Sequence, residues 1–158
     1  MEMQLEQVAQ QVSRTGSFDL TCSAEAAFPL FSPEGERQWV KGWNPQPLFP
    51  EEIEFRRDTV FRQGEGEEEA VWAIIDADWE THRAEYIRVA TASHTAHILV
   101  AIESLASQRC RVTVSYTITA FGAHRQHLID AFSETAYAAK MSKWQRQINE
   151  CLETRKDD

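Results

Sequence analysis

The sequence predicts an α+β domain in which a curved antiparallel sheet of about seven strands wraps around a long C-terminal helix. Three observations predict this fold class. Strand patterns dominate the middle of the chain, the turns between them are too short for helical crossovers, and about 30 residues of helical pattern follow them. Such a helix spans about 45 Å and a strand of about 12 residues spans about 40 Å, so the helix can lie along the whole sheet.

The chain is predicted to begin with one strand and two short helices. Residues 17–22 alternate apolar and polar side chains, which is typical of a half-buried strand. Ser23 can cap a first short helix over residues 24–31, because its hydroxyl can accept from a free backbone amide. Ser32 can cap a second short helix over residues 33–40, which starts with a proline in its first turn.

Further strands follow in short-turn succession. The clearest covers residues 109–121, where apolar side chains alternate with Arg, Thr and Ser, so that one face is buried and the other is wet. The other predicted strands cover residues 48–55, 58–63, 70–77, 82–90 and 94–105.

The C-terminal part of the chain is predicted to form one uninterrupted helix over residues 123–154. Its charged residues, including Lys140 and Lys143, are expected on the outer, solvated face. Its predicted apolar stripe comprises Leu128, Phe132, Ala136, Ala139, Met141, Trp144, Ile148 and Cys151.

The charge balance argues against two classes of partner. The net charge is -9 and the pI is about 5.0. A nucleic-acid binder needs a cationic surface to displace counterions from phosphates, and an anionic lipid surface attracts basic segments. We therefore expect no nucleic-acid partner and no adhesion to such membranes.

No metal site and no cofactor is predicted. Cys22, Cys110 and Cys151 lie far apart in the sequence, and an odd number without CxxC spacing fits neither a disulfide framework nor a zinc site. His124 and His127 could share a face where the last helix begins, but a metal there needs a third ligand. Phosphate-binding glycine motifs and nucleophile motifs are also absent.

The predicted location is cytoplasmic, without stable membrane insertion. The first six residues lack the basic segment and apolar run of a secretory signal, and no stretch approaches 18 continuous apolar residues. We expect a single domain over residues 1–158 with its core at about 16–155, where residues 1–12 are either a frayed lead-in or the start of the first strand. The sequence leaves the oligomeric state open.

Several segments resemble the START-like or Bet v 1-like (SRPBCC) superfamily, which has the helix-grip fold. The resemblance is carried by residues 30–45, which look like the two-helix entry of many bacterial members, and by strand segments 59–61, 71–72, 85–89 and 113–117. Within the superfamily, the chain looks like a bacterial member that resembles the polyketide cyclase and lipid-binding group. The resemblance implies a cavity between the sheet and the C-terminal helix, with its mouth near the short helices.

The candidate ligand-binding residues are apolar or aromatic residues expected around that cavity. Trp39 and Trp43 either wall its mouth or plug the end of the barrel. For Trp72 and Tyr86 the facing is open, because the alternation with Asp76 points Trp72 outward unless a bulge intervenes. The remaining candidates either line the cavity or pack as solid core, and they are Ile98, Val100, Ile102, Val114, Tyr116, Ile118, Phe132 and Met141.

These expectations give a first functional hypothesis, the binding or transport of a small hydrophobic ligand such as a lipid, an isoprenoid or a polyketide-like compound. The alternative is a cyclase or dehydratase, in which Tyr116, Arg88 and His94 would be the polar candidates. That alternative requires a titratable group at the cavity. A third possibility, a co-chaperone-like interaction domain, would need an exposed apolar patch larger than a few hundred Å².

Overall fold

A computed structural model describes residues 8–156 of the protein, so the predicted domain ends at 1–7 and 157–158 lie outside the described residues. The strands form one antiparallel sheet in the order β1-β7-β6-β5-β4-β3-β2. They are β1 (Gln10–Leu20), β2 (Gln46–Phe49), β3 (Val60–Gln63), β4 (Ala70–Asp78), β5 (Arg83–Ala90), β6 (His94–Ala106) and β7 (Arg109–Ala120). The helices are α1 (Ala24–Ala27), α2 (Pro33–Glu36), α3 (Arg125–Ala131) and α4 (Glu134–Lys156), with 3₁₀ turns at Phe28–Phe31 and Gly66–Glu68. The α+β prediction is confirmed.

The alternation in β7 sorts its side chains as predicted. Val114 lies opposite Val100 of β6 and Tyr116 lies opposite Ile98, and all four side chains are buried on the concave face. On the convex face, hydroxyl groups of β1 and β7 pair across the strands at 2.8–2.9 Å, namely Ser13 with Thr117, Thr15 with Ser115 and Ser17 with Thr113. The sheet therefore has one apolar and one polar face.

The two short helices begin at the predicted caps. The Ser23 hydroxyl accepts from the Ala26 amide at 3.1 Å, and the Ser32 hydroxyl accepts from the Gly35 amide at 2.9 Å. The second helix ends at Glu36 rather than at Val40, and turn hydrogen bonds continue to Val40. This stretch folds back across the end of the sheet and brings Glu36 toward the interior.

The prediction of one C-terminal helix is wrong, because the chain breaks between α3 and α4. The Ser133 hydroxyl accepts from the Ala136 amide at 3.1 Å and caps the start of α4. The preceding carbonyl, that of Phe132, accepts instead from Arg14 Nε of β1 at 2.8 Å. Within residues 8–156, no helix combines the length and the apolar character that crossing a membrane requires.

A bulge in β4 decides the facing of Trp72. The pairing with β5 shifts between Ile74, which lies opposite Tyr86, and Asp76, which lies opposite Glu85. Trp72 and Ile74 therefore share the concave face with Tyr86, and all three are buried. The shift reverses the alternation that would have pointed Trp72 outward.

We expect Gly35→Ala to lower the free energy of unfolding by about 3 kcal/mol. A Cβ at Gly35 would lie 1.9 Å from the Pro29 carbonyl oxygen and 2.8 Å from Leu30 Cα, and these backbone atoms cannot rotate away. Urea unfolding followed by circular dichroism measures the loss. In the control Gly16→Ala, the nearest atom is Cγ of the flexible Met141 at 2.8 Å, so the expected loss is smaller. Equal losses in the two variants would contradict this assignment.

Candidate ligand-binding site

The interior between the concave face of the sheet and α4 is almost filled, whereas a groove of about 570 Å³ opens along the edge of the sheet between β1 and α4. An enclosed cavity of about 20 Å³ remains, which suffices for about one water molecule. Aromatic side chains occupy the place where a larger cavity was expected, and Trp39 and Trp144 meet there with ring centroids 5.4 Å apart. The cavity is lined by Phe31, Pro33, Glu36, Phe61, Trp72, Tyr86, Ile98, Val100, Tyr116 and Trp144.

A larger space lies at the end of the barrel, between the stretch after α2 and the β3–β4 hairpin. We call this 320 Å³ groove the mouth groove; it is lined by Val40, Lys41, Gly42, Trp43, Gln63, Gly64, Glu68, Ala70, Trp72, Arg88 and His94. Trp72 lines both the mouth groove and the enclosed cavity, so it separates the two. A neighbouring 440 Å³ groove shares Glu68 and His94 with it and continues to the two histidines of the α3 start.

The structure separates the two tryptophans that were predicted as a pair at the mouth. Trp43 lines the mouth groove, and its Nε1 donates to the Pro33 carbonyl at 2.8 Å. Trp39 is buried, and its Nε1 donates to the Leu30 carbonyl at 2.8 Å. Trp39 therefore packs as core behind the groove.

The other predicted residues divide into three groups. Tyr86, Ile98, Val100 and Tyr116 line the enclosed cavity, and the Tyr86 hydroxyl donates to the Phe31 carbonyl. Buried core residues away from the cavity and the mouth groove are Ile102, Val114 and Ile118. Of the helical candidates, Phe132 packs against Tyr116 at 5.5 Å between ring centroids, and Met141 lies against Gly16 of β1.

Arg88 is the central polar residue of the site. Its guanidinium carbon lies 5.2 Å from the Trp72 ring centroid and 5.9 Å from that of Tyr116. Its Nε donates to Nε2 of His94 at 3.1 Å, and His94 Nδ1 lies 2.8 Å from the Ser93 hydroxyl oxygen. Because Nε2 accepts, Nδ1 carries the imidazole proton.

The charge state of His94 follows from this arrangement. Burial, together with the nearby Arg88 charge, lowers the pKa of His94 to about 4. The imidazole is therefore neutral at pH 7. It accepts a hydrogen bond from the Arg88 guanidinium but does not offset the positive charge of that group.

Lys140 reaches the interior, which corrects its predicted place on the outer face of the helix. Its Nζ lies 4.5 Å from the ring centroid of Tyr116, 4.9 Å from that of Phe132 and 5.5 Å from that of Trp144. Burial, with a smaller contribution from Arg88, lowers the pKa of Lys140 to about 8. The ammonium therefore remains mostly charged at pH 7 and makes cation–π contacts with the three aromatic rings.

Glu36 brings a carboxyl group to the enclosed cavity. Burial raises the pKa of Glu36 to about 8, although Lys140 and Arg88 act in the opposite direction. Among the described residues, no carboxylate oxygen lies within 4.0 Å of the Arg88 or Lys140 cation. At pH 7 the site therefore contains two cations and a mostly neutral carboxyl group.

No family model and no curated protein matches the chain. Solved structures do match it along most of its length. An uncharacterised protein from Rhizobium leguminosarum has a TM-score of 0.65 at 13% identity, covering 94% of this chain and 98% of that chain. Norcoclaurine synthase from Thalictrum flavum, solved with dopamine and hydroxybenzaldehyde, has a TM-score of 0.60 at 12% identity, covering 93% and 90%. The chain has the Bet v 1-like fold.

A third match adds a polyketide enzyme to the proteins that share the Bet v 1-like fold. The di-domain ARO/CYC BexL from the BE-7585A biosynthetic pathway has a TM-score of 0.63 at 10% identity, covering 87% of this chain and 46% of that chain. Identities this low show the shared fold alone, so the function must be argued from the site.

Sequence reasoning missed Glu36 and Lys140 as residues of this Bet v 1-like interior. A signal for Lys140 was present, because Ala136, Lys140 and Trp144 follow one another at i, i+4 and i+8 and therefore lie in one row. No periodic signal existed for Glu36, since α2 has only four residues. Arg88 had been placed on the Tyr86 face, where the structure has it.

Proposed function

We propose that the protein binds a small, largely apolar or aromatic organic molecule in the mouth groove. The observation that carries the proposal is the 320 Å³ groove whose inner wall is formed by Trp43, Trp72 and Arg88. This volume lies at the lower end of the range for ligand sites, about 300–1,000 Å³, and a few polar groups in an apolar wall are typical of them.

The size of the groove favours a compact guest over a long acyl chain. The enclosed cavity of about 20 Å³ offers no room for a lipid tail inside the barrel. Ring compounds, such as polyketide-like or short isoprenoid molecules, fit the groove better. Norcoclaurine synthase shares the fold and was solved with two small aromatic compounds, which supports the same class of guest here.

We expect N-phenyl-1-naphthylamine, a neutral aromatic probe, to bind the wild-type protein, and Val40→Trp to weaken that binding at least tenfold. Val40 lines the groove and is half-buried, so a larger side chain would occupy the ligand's volume. Isothermal titration calorimetry measures the affinity. Val71→Trp is the matched control, because Val71 is exposed on β4 and lines none of the groove. Unchanged binding by Val40→Trp, or no binding by the wild type, would contradict the proposal.

A second candidate function is proton-transfer catalysis of the cyclase or dehydratase type. It is favoured by Glu36 and Tyr116, which are titratable and line the enclosed cavity. A carboxyl group with a pKa of about 8 is suited to donate a proton near neutral pH. Mass spectrometry of incubations with aromatic and polyketone carbonyl compounds tests for conversion, and Glu36→Gln should then bind but not convert. Equal conversion by Glu36→Gln would remove this role.

The predicted cytoplasmic location and the lack of a nucleic-acid partner remain predictions. The net charge of -9 supports the latter. Cell fractionation tests the location, and electrophoretic mobility shift with duplex DNA tests the absence of nucleic-acid binding.

A further inference from the structure

We propose that the ligand carries an acid group, which binds at the inner end of the mouth groove between Arg88 and the indole nitrogen of Trp72, with Lys140 supplying a second positive charge nearby. This inference rests on the proposed function and specifies the class of ligand. The expected ligand is therefore an organic acid that contains a ring system, and not a neutral hydrophobic compound.

The first support is an unused donor. Trp72 is 9% exposed, and its Nε1 is buried with no hydrogen-bond acceptor among the described residues. A buried donor without a partner costs about 1–3 kcal/mol, so such groups are rare in folded proteins. Because Trp72 lines both the groove and the enclosed cavity, its indole lies at the inner end of the groove, on the boundary between the two spaces.

The second support is the charge of the site. The Arg88 and Lys140 cations both lie over the Tyr116 ring, at 5.9 and 4.5 Å from its centroid. Their neighbours on the other elements do not balance them, because Glu36 lies beyond ion-pair distance and His94 is neutral when it accepts from Arg88. Arg88 and Lys140 are both partly buried, and two like charges in such surroundings are costly unless an anion accompanies them.

The third support is the orientation of Arg88. The hydrogen bond from Nε to His94 uses one side of the guanidinium plane and fixes the direction of the group. Arg88 itself lines the mouth groove, where a ligand can approach it, and within the site its side chain also forms a hydrogen bond with Tyr116. A planar acid group can accept two parallel hydrogen bonds from such a fork.

The test compares two probes with the same ring skeleton, 8-anilinonaphthalene-1-sulfonate and neutral N-phenyl-1-naphthylamine. Isothermal titration calorimetry at one salt concentration gives both affinities. We expect the wild type to bind the sulfonate at least tenfold more tightly. Arg88→Gln should weaken binding of the sulfonate by about 10- to 100-fold, the usual effect of a lost charge-assisted hydrogen bond. Because Arg88 also forms part of the groove wall, binding of the neutral probe should weaken too, but by less than about threefold.

Two further variants keep the test decisive if Arg88→Gln folds poorly. Trp72→Phe keeps an aromatic ring but removes the Nε1 donor, and it should lower the affinity for the sulfonate by about fivefold. The matched control Arg83→Gln removes an exposed arginine from the same strand and should change neither affinity.

The outcomes separate the two proposals. Equal wild-type affinities for the two probes, or equal weakening of both by Arg88→Gln and by Trp72→Phe, overturn the acid-group inference while the binding function stands. If neither probe binds to the wild type, both proposals fall.

Discussion

Replacing Lys140 by Met is expected to stabilise the ligand-free protein by about 2 kcal/mol at pH 7, which corresponds to a rise in Tm of about 5 °C. The pKa of Lys140 is lowered from 10.5 to about 8, mainly by burial, so the folded state disfavours the charged form. Met keeps the unbranched stem that packs beside Tyr116 and Trp144 and removes the buried charge. Differential scanning calorimetry measures the change.

The pH dependence of this gain has a definite sign. Between about pH 8 and 10.5 the unfolded chain still holds the Lys140 proton that the folded chain has released, so the stability of the wild type rises with pH in this window. The advantage of Lys140→Met should therefore shrink from pH 8 to pH 10.5. Lys143→Met is the matched control, because Lys143 is exposed on the same helix and should change stability by less than about 0.5 kcal/mol. A loss of stability in Lys140→Met at pH 7 would show that the ammonium is well solvated or paired.

The second large effect on stability is expected for replacement of Glu36. Its pKa is raised from 4.5 to about 8 by burial, so between these values the folded chain holds a proton that the unfolded chain has lost. The stability that this proton contributes is fully present below pH 4.5 and is lost as pH rises through 8. Glu36→Gln should therefore gain about 3 kcal/mol relative to the wild type between pH 5 and pH 8, as Gln resembles the protonated carboxyl group.

Urea unfolding at a series of pH values measures this gain. The groups facing Glu36 are the cations Arg88 and Lys140 and the phenols Tyr86 and Tyr116, and only Lys140 among them changes charge near pH 8. The control Glu51→Gln removes an exposed carboxylate and should follow the wild type at every pH. Parallel curves for Glu36→Gln and the wild type would place the Glu36 carboxyl group in solvent.

Both predictions describe an interior that is less stable than an apolar one would be. Replacing buried charges by apolar side chains of similar size is often neutral or stabilising, so their presence here has a cost in stability. Functional sites commonly carry such costs. The expected stability gains at Lys140 and Glu36 and the expected loss of acid binding in the Arg88 variant therefore report on the same group of partly buried polar side chains.

Much of the fold was predictable because it depends on local patterns. The alternation in β7 placed Val114, Tyr116 and Ile118 on one buried face, and Ser32 was recognisable as a helix cap. The break before α4 was not predicted, since Ser133 lies within a continuous helical pattern. In the structure the Ser133 cap and the contact of the Phe132 carbonyl with Arg14 accompany the break.

The candidate site was predicted less completely. The bulge in β4, which turns Trp72 inward, was considered from the sequence but could not be decided there. The expected cavity depended on the summed volume of side chains that meet across the barrel, and a residue pattern does not give that sum. In the structure Trp39 and Trp144 fill this space, and the groove of 320 Å³ that we propose as the ligand site lies at the mouth, beside Trp43.

The sequence by itself determined the order of the elements, the antiparallel sheet and the buried face of each long strand, because side-chain periodicity and short turns act between near neighbours. The tertiary structure decided where the charged ends of long side chains lie. Lys140 and Arg88 come from elements far apart in the chain and converge over Tyr116 only when α4 lies inside the sheet. Their burial, which shifts the pKa values and leaves two cations without a carboxylate, is a property of that packing and not of either segment alone.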